Sequence, residues 1–337
     1  MGSAISMRSK VATALIALSL AAAGCSGGTS DTSASSHASD AGRGGAIQPE
    51  GTGDFAGLVD IGGGRTIFIE CAGTGSPTVV LIAGKGNGAN DGWGEVLDPA
   101  DPVRQAPDDQ VALGKGDLQR SDTAVFASVA KFTRVCAYSR PGTGLDDPET
   151  STPVPQPHRV GNAFSDLHAV LGAAGESGPY VLVGHSYGGL IVRLFASMYP
   201  HDVSGLVMED VVSEFETETT TPEEFTNWDE LNSTTDGTTE AVELIDAMDE
   251  IRAAPAMPDA PAVVLSSDKP PNRQAIEAQS KEFGALPTFA AWLAAHDLLA
   301  KSLHAKHITD TNSGHNIEVY QPQLVTDAIR TIVDEAR

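Results

Sequence analysis

The chain of 337 residues has few basic side chains. It contains 21 Lys and Arg against 45 Asp and Glu, which gives a formal net charge of −24 at pH 7. Proteins that bind nucleic acids, or that dock on anionic lipid through basic clusters, need the opposite balance. The composition therefore argues against a nucleic-acid partner and disfavours substrates with several negative charges.

Cysteine is also scarce, since the chain has only Cys25, Cys71 and Cys136. No group of Cys, His, Asp or Glu has the spacing of a metal site. The glycine-rich residues 84–88 lack the Walker spacing and the Lys-Ser/Thr pair of a phosphate-binding loop. We therefore expect neither a metal nor another cofactor.

The apolar run at residues 11–23 is too short to span a bilayer comfortably. It follows Arg8 and Lys10 and ends in small residues, which predicts a signal peptide over residues 1–24. The end of this segment, Ala-Ala-Gly-Cys, resembles the lipobox of bacterial lipoproteins, which implies cleavage before Cys25 and its lipidation. The alternative is an ordinary secretory signal. We expect an extracytoplasmic protein that contacts the membrane only through its lipid anchor.

Residues 25–52 are mostly Gly, Ser, Thr, Ala and Asp, with almost no large apolar side chain. Such a segment cannot bury enough surface to offset its ordering entropy, so we predict a flexible spacer. Residues 53–337 are long enough for a single α/β domain with a sizeable core. Nothing in the sequence indicates the oligomeric state.

Apolar strand patterns alternate with helical patterns along this domain. Strands are predicted at 57–61, 65–70, 78–83, around Cys136, and at 180–183, 203–209, 261–265 and 306–309. Helices are predicted at 122–131, 158–174, 190–196, 289–303 and 322–336. The alternation predicts an α/β fold with a mostly parallel sheet, covered by helices on both faces. In such sheets the active site lies beyond the carboxyl ends of the strands.

One junction between a strand and a helix carries a nucleophile motif. Its sequence is Gly184-His185-Ser186-Tyr187-Gly188-Gly189. A serine flanked by small residues at such a junction is a nucleophile elbow, which holds the hydroxyl clear of the sheet in a strained turn. Gly184, Gly188 and Gly189 are expected because side chains there would collide with the neighbouring strand or helix. The alternative is a glycine-rich turn that only links the two elements.

From residue 57 to the carboxyl terminus, the chain resembles the α/β-hydrolase fold family. The elbow, the segment Ser313-Gly314-His315-Asn316 and the order of nucleophile before histidine carry the resemblance. Residues 79–86, 138–142 and 313–317 look like those of secreted bacterial esterase-type members. The resemblance implies an eight-stranded sheet and a small helical lid after strand six, at about residues 211–258.

The resemblance also implies a catalytic triad. Ser186 needs an imidazole to remove its proton, and His315 lies where the family keeps that histidine. The other histidines lie in the spacer, in predicted helices, near strand starts or, as His185, inside the elbow. The acid that supports His315 has two candidates, Asp210 at the end of strand six and Asp268 after strand seven. We favour Asp210, although either carboxylate could instead cap a helix.

Backbone N–H groups should hold the oxyanion that forms during acyl transfer. The family pattern places one on Tyr187 and the other on Lys85 or Gly86. Arg140 is expected to anchor its loop by pairing with a carboxylate, with a contact to substrate as the alternative.

The two remaining cysteines fall on strands that lie side by side in the family's strand order. We therefore expect a structural Cys71–Cys136 disulfide, which can persist in an export compartment. Two buried free thiols are the alternative.

The predicted activity is hydrolysis of a carboxylic ester, neutral or apolar, through an acyl-enzyme. Alternatives are peptidase, thioesterase or cofactor-free haloperoxidase activity on the same fold, or a catalytically silent surface-binding protein. The lid contains several large apolar side chains that either line an acyl pocket or pack the lid onto the domain. They are Phe215, Phe225, Trp228, Leu231, Leu244, Ile245 and Met248.

Overall fold

The structure, a computed structural model, describes residues 53–144 and 150–337. The predicted signal peptide, Cys25 and the spacer lie outside the described residues. Within the described ranges, no helix is both long and apolar enough to cross a membrane.

Eight strands form the central sheet, and two short ones form a separate antiparallel pair. In chain order the strands are β1 (Phe55–Gly62), β2 (Arg65–Ala72), β3 (Thr78–Ile82), β4 (Glu95–Leu97), β5 (Leu118–Arg120), β6 (Val135–Ser139), β7 (Tyr180–His185), β8 (Val203–Glu209), β9 (Ala262–Leu265) and β10 (Lys306–Ile308). The sheet order is β1-β2-β6-β3-β7-β8-β9-β10, and β4 pairs with β5. Strand β2 is antiparallel to β1 and β6, whereas all other neighbours in the large sheet are parallel. The predicted eight-stranded, mostly parallel sheet is confirmed.

Helices cover both faces of the sheet. They are α1 (Val125–Val129), α2 (Val160–Ala173), α3 (Gly188–Met198), α4 (Glu216–Thr219), α5 (Pro222–Ser233), α6 (Leu244–Ala253), α7 (Arg273–Phe283), α8 (Phe289–Ser302), α9 (Ile317–Tyr320) and α10 (Pro322–Glu335). Side chains alternate along the buried strands, so Val80 and Leu182 join a core with α2 and α3. Val79 and Val181 point the other way, into a core with α1 and α10. Burial on both faces explains why β3 and β7 are continuously apolar.

Residues 211–258, here called the cap segment, contain α4, α5 and α6 at the place predicted for the lid. The next helix, α7, follows β9 and packs against α5. The covering layer beside the site therefore includes a segment that the sequence analysis did not identify.

Cys71 and Cys136 lie opposite each other in the register of β2 and β6. Their sulfur atoms are joined in a disulfide, as expected from the strand order. The bond links two neighbouring strands of the sheet near its β1 edge.

Candidate active site

Ser186 occupies the turn between β7 and α3. Its φ is 53°, a left-handed conformation that costs a residue with a side chain of the order of 1–3 kcal/mol. The turn closes tightly, because a Cβ atom on Gly188 would collide with the carbonyl oxygen of Ile82. The Ser186 carbonyl accepts hydrogen bonds from the N–H groups of Gly189 and Val212, both at 3.0 Å. Its hydroxyl makes no hydrogen bond to any other described residue, His315 included.

His315 follows β10, and its ring contacts a carboxylate at the end of β8. The Nδ1 atom lies 2.7 Å from Oδ2 of Asp210. Ser267 donates its N–H to Oδ1 of Asp210 at 2.7 Å and its hydroxyl to Oδ2 at 3.0 Å. The carboxylate only accepts, so Nδ1 of His315 carries the proton and Nε2 is left as a base. Ser186 and His315 line the same cavity.

The two groups shift each other's pKa. Burial alone would raise the pKa of Asp210, but the hydrogen bond and charge of His315 lower it from 3.8 to about 2. Burial would lower the pKa of His315, and the hydrogen bond and charge of Asp210 outweigh it, so the pKa rises above 6.5. Asp210 therefore stays ionised and makes His315 a stronger base.

The alternative acid, Asp268, has a different set of contacts. Its carboxylate accepts the N–H groups of Asn312 and Ser313, both at 2.9 Å. It therefore holds the loop that leads into His315, whereas Asp210 contacts the imidazole itself.

Of the candidate oxyanion donors, one is already paired within the protein. The N–H of Gly86 donates to Oε2 of Glu240 at 2.7 Å, so it is not available to a substrate, and this candidate is corrected. The backbone N–H groups of Tyr187 and Lys85 have no acceptor among the described residues, and both residues line the cavity. The Lys85 ammonium turns away and donates to the carbonyl of Asn232 at 2.8 Å.

Residues 113–283, half of the chain, match a family model described as alpha/beta hydrolase fold. The chain belongs to the α/β-hydrolase fold family. It is 29% identical over 219 residues to the uncharacterized protein YqjL of Bacillus subtilis, a match covering 64% of this chain and 79% of YqjL.

The chain spans less than a fifth of two other curated relatives. It is 40% identical over 97 residues to an uncharacterized protein of Schizosaccharomyces pombe, covering 29% of this chain and 17% of the relative. It is 34% identical over 118 residues to the probable transporter efuK of Hormonema carpetanum, covering 33% of this chain and 16% of the relative.

Solved structures align with most of the chain at low sequence identity. A monoacylglycerol lipase of Paleococcus ferrophilus is 15% identical, with a TM-score of 0.49 over 80% of this chain and 99% of that one. A thermophilic esterase of Thermogutta terrifontis is 16% identical, with a TM-score of 0.48 over 84% of this chain and 98% of that one.

Other members of the α/β-hydrolase site were not identified from the sequence. Asp109, almost fully buried, accepts the backbone N–H of His315 at 2.7 Å. Nε2 of His185 lies 3.0 Å from the His315 carbonyl, which can only accept, so His185 is the donor. Asp109 lies in a Gly/Asp/Pro-rich stretch and is far from His315 in sequence, so no local pattern marks it.

His296 lies behind Asp210 on helix α8. Its Nε2 donates to the carbonyl of Val211 at 2.9 Å, and its Nδ1 accepts from the Ser266 hydroxyl at 2.9 Å. Burial lowers the pKa of His296, so the ring is neutral beside the Asp210 carboxylate. It fixes the backbone at Val211, directly after Asp210, and as a neutral ring it forms no ion pair with the carboxylate.

Glu209, next to Asp210, is fully buried. Burial and the neighbouring Glu318 carboxyl raise its pKa well above 4.5, so the side chain keeps its proton.

A cavity of about 300 Å³ opens beside Ser186. Its walls are mainly apolar and come from the cap segment, α7 and α8. They include Trp228, Leu231, Val242, Leu244, Ile276, Leu286, Phe289 and Trp292. Of the apolar lid residues singled out from sequence, Trp228, Leu231 and Leu244 line this cavity. Phe225 and Met248 are buried in the domain core, so the cap uses its apolar side chains for both purposes.

Proposed function

We propose that this chain is an extracytoplasmic serine hydrolase that cleaves carboxylic esters through an acyl-enzyme. Ser186 Oγ attacks the ester carbonyl carbon while Nε2 of His315 takes its proton. The N–H groups of Tyr187 and Lys85 stabilise the oxyanion. The protonated imidazole then gives its proton to the departing alcohol.

Water completes the cycle. It attacks the acyl carbon of the Ser186 ester while His315 takes the proton of the water. The proton returns to Ser186 Oγ as the acid leaves, so one ester and one water yield one acid and one alcohol. Asp210 keeps the imidazole in the required tautomer and stabilises its charged form.

The observation that carries the proposal is the 2.7 Å contact between His315 Nδ1 and Asp210 beside the unpaired hydroxyl of Ser186. The contact fixes the ring so that its basic nitrogen is the one left free. The apolar cavity beside Ser186 favours an acyl group without charge. A Ser186-centred acyl transfer needs no further reactant than water.

A fluorophosphonate probe tests the proposal directly. The wild-type chain should gain the mass of one probe on Ser186 and hydrolyse p-nitrophenyl esters, and the Ser186→Ala variant should do neither. Thioester and peptide substrates assayed in parallel measure the preference for oxygen esters. A folded wild-type chain that is neither labelled nor active would contradict the proposal.

We further propose that Cys25 carries the lipid anchor. The Cys71–Cys136 disulfide supports an oxidising compartment outside the cytoplasm. Expressed in a bacterial host, the wild type should be found in the membrane fraction with a diacylglyceryl mass on Cys25. The Cys25→Ser variant should lack this mass. Wild-type protein without lipid in the soluble fraction would refute the anchor.

A further inference from the structure

Arg140 and Glu240 form an ion pair at the carboxyl end of β6. Nε of Arg140 lies 2.6 Å from Oε1 of Glu240, and Nη2 lies 2.9 Å from Oε2. The two side chains are only 1% and 5% exposed. A buried pair of this kind is rarely more stabilising than apolar side chains of the same volume, so its position calls for another explanation.

The pair also contacts the backbone of the loop that follows β3. Arg140 donates to the carbonyl of Ala83 at 2.9 Å and to that of Gly84 at 2.6 Å. Glu240 accepts the N–H of Gly86 at 2.7 Å. Three backbone groups around Lys85 are thereby occupied, whereas the N–H of Lys85 has no acceptor among the described residues.

Glu240 belongs to the cap segment. Its own N–H donates to the carbonyl of Gly142 at 3.0 Å, next to the loop of Arg140. A second link joins the same parts, because the Lys85 ammonium donates to the carbonyl of Asn232 at the end of α5. The cap segment therefore holds the oxyanion loop at two points.

We propose that the Arg140–Glu240 pair positions the oxyanion site, by fixing the loop so that Lys85 presents the second N–H to the substrate. The inference rests on the proposed hydrolytic function. Arg140 and Glu240 are positioning residues, since they act through the Lys85 N–H and touch no reacting atom. Loss of one oxyanion donor typically lowers kcat by about a hundredfold or more, and a displacement near 1 Å has a similar effect.

The chain offers a matched control at the other end of the same strand. Arg134 precedes β6 and pairs with Glu176 at 2.8 Å, with the side chains 5% and 7% exposed. Arg134 also donates to a backbone carbonyl, that of Gly73 at 3.1 Å. This pair matches the first in chemistry and burial but lies at the end of the sheet away from Ser186.

The test compares Glu240→Gln with Glu176→Gln on p-nitrophenyl esters, after turnover by the wild type has been measured. Glu240→Gln should lower kcat by about tenfold or more with KM changed less than about twofold, because the donor acts mainly in the transition state. An aryl boronic acid, which forms a tetrahedral adduct on the serine, should bind this variant more weakly. Glu176→Gln should lower the melting temperature and leave kcat within about twofold.

Arg140→Lys is the second variant, for the case in which Glu240→Gln does not fold. It keeps a buried positive charge but loses the bidentate hydrogen bonds to Glu240, so kcat should fall in the same way. Equal kcat losses in Glu240→Gln and Glu176→Gln would overturn the positioning role. Unchanged kcat in both Glu240→Gln and Arg140→Lys would also overturn it. An inactive wild type would instead overturn the proposed function itself.

Discussion

Replacing Asp210 by Asn tests the central contact of the site. One oxygen of the carboxylate accepts the N–H of Ser267 at 2.7 Å, and the other faces Nδ1 of His315 at 2.7 Å. The single oxygen of Asn must face the Ser267 N–H, because the Asn NH₂ group in that place would set one donor against another. The Asn NH₂ group then faces Nδ1, which must give up its hydrogen and become an acceptor. The proton moves to Nε2, and His315 can no longer act as the base.

The expected loss is large because geometry is kept while the tautomer is wrong. Such a change in a serine-hydrolase triad lowers kcat by about 10⁴-fold. A stability effect should accompany it. The fall of the Asp210 pKa from 3.8 to about 2 corresponds to about 2 kcal/mol of unfolding free energy. That stability is present above pH 3.8 and is lost as the pH falls toward 2, so the variant's deficit should disappear in acid.

The assay compares Asp210→Asn with Asp268→Asn on p-nitrophenyl ester turnover across pH. Asp268 binds only the loop amides of Asn312 and Ser313, so its variant should lose less than about tenfold. Wild-type activity should fall as the pH drops through the pKa of His315, which lies above 6.5, because His315 must be neutral to accept the serine proton. If Asp268→Asn abolishes turnover while Asp210→Asn retains most of it, the assignment of the acid is wrong.

Three further predictions concern stability and substrate size. Burial raises the pKa of Glu216 from 4.5 to about 8, so the unfolding free energy of the wild type should fall as the pH rises between these values. Urea unfolding at the two pH limits should show a smaller fall in unfolding free energy for Glu216→Gln. The Cys71→Ser, Cys136→Ser double variant should lose about 4 kcal/mol of unfolding free energy for a crosslink that spans 65 residues, and alkylation of the unfolded, unreduced wild type should find neither thiol. Trp292→Ala should enlarge the apolar cavity and raise kcat/KM for long acyl esters relative to short ones by about tenfold, and an unchanged chain-length profile would exclude Trp292 from the acyl site.

The large sheet could be predicted because its strands are buried. Burial on both faces makes β3 and β7 continuously apolar, and this is readable along the chain. Strands β4 and β5 were missed because they are short, lie in a Gly/Asp/Pro-rich stretch and, in β5, are exposed throughout, so neither makes an apolar run. Helix α7 was missed because none of its side chains is buried and Ile276 and Phe283 are its only large apolar residues, too few to mark a packed face in the sequence.

The active site was predictable where a local motif exists. Ser186 lies in an elbow where a Cβ atom on any of the three glycines would collide with a neighbouring part of the chain, so the motif itself is readable in the sequence. The choice between Asp210 and Asp268 depends on where each side chain points after its strand, which sequence spacing does not determine. The left-handed φ of 43° at Asp210 directs that carboxylate to His315 and has no signature in the sequence.

His315 is held from three sides by different parts of the chain. Asp109 accepts its N–H, His185 donates to its carbonyl, and Asp210 binds its Nδ1. Because these contacts come from outside the cap segment, a substitution in the cap should leave the imidazole in place. A cap variant that lowers kcat must then act through the oxyanion loop or the cavity walls. The pH profile separates an effect of the cap from an effect on the imidazole. The pKa of His315 should stay unchanged in cap variants and move only when Asp210 or its supporting contacts are altered.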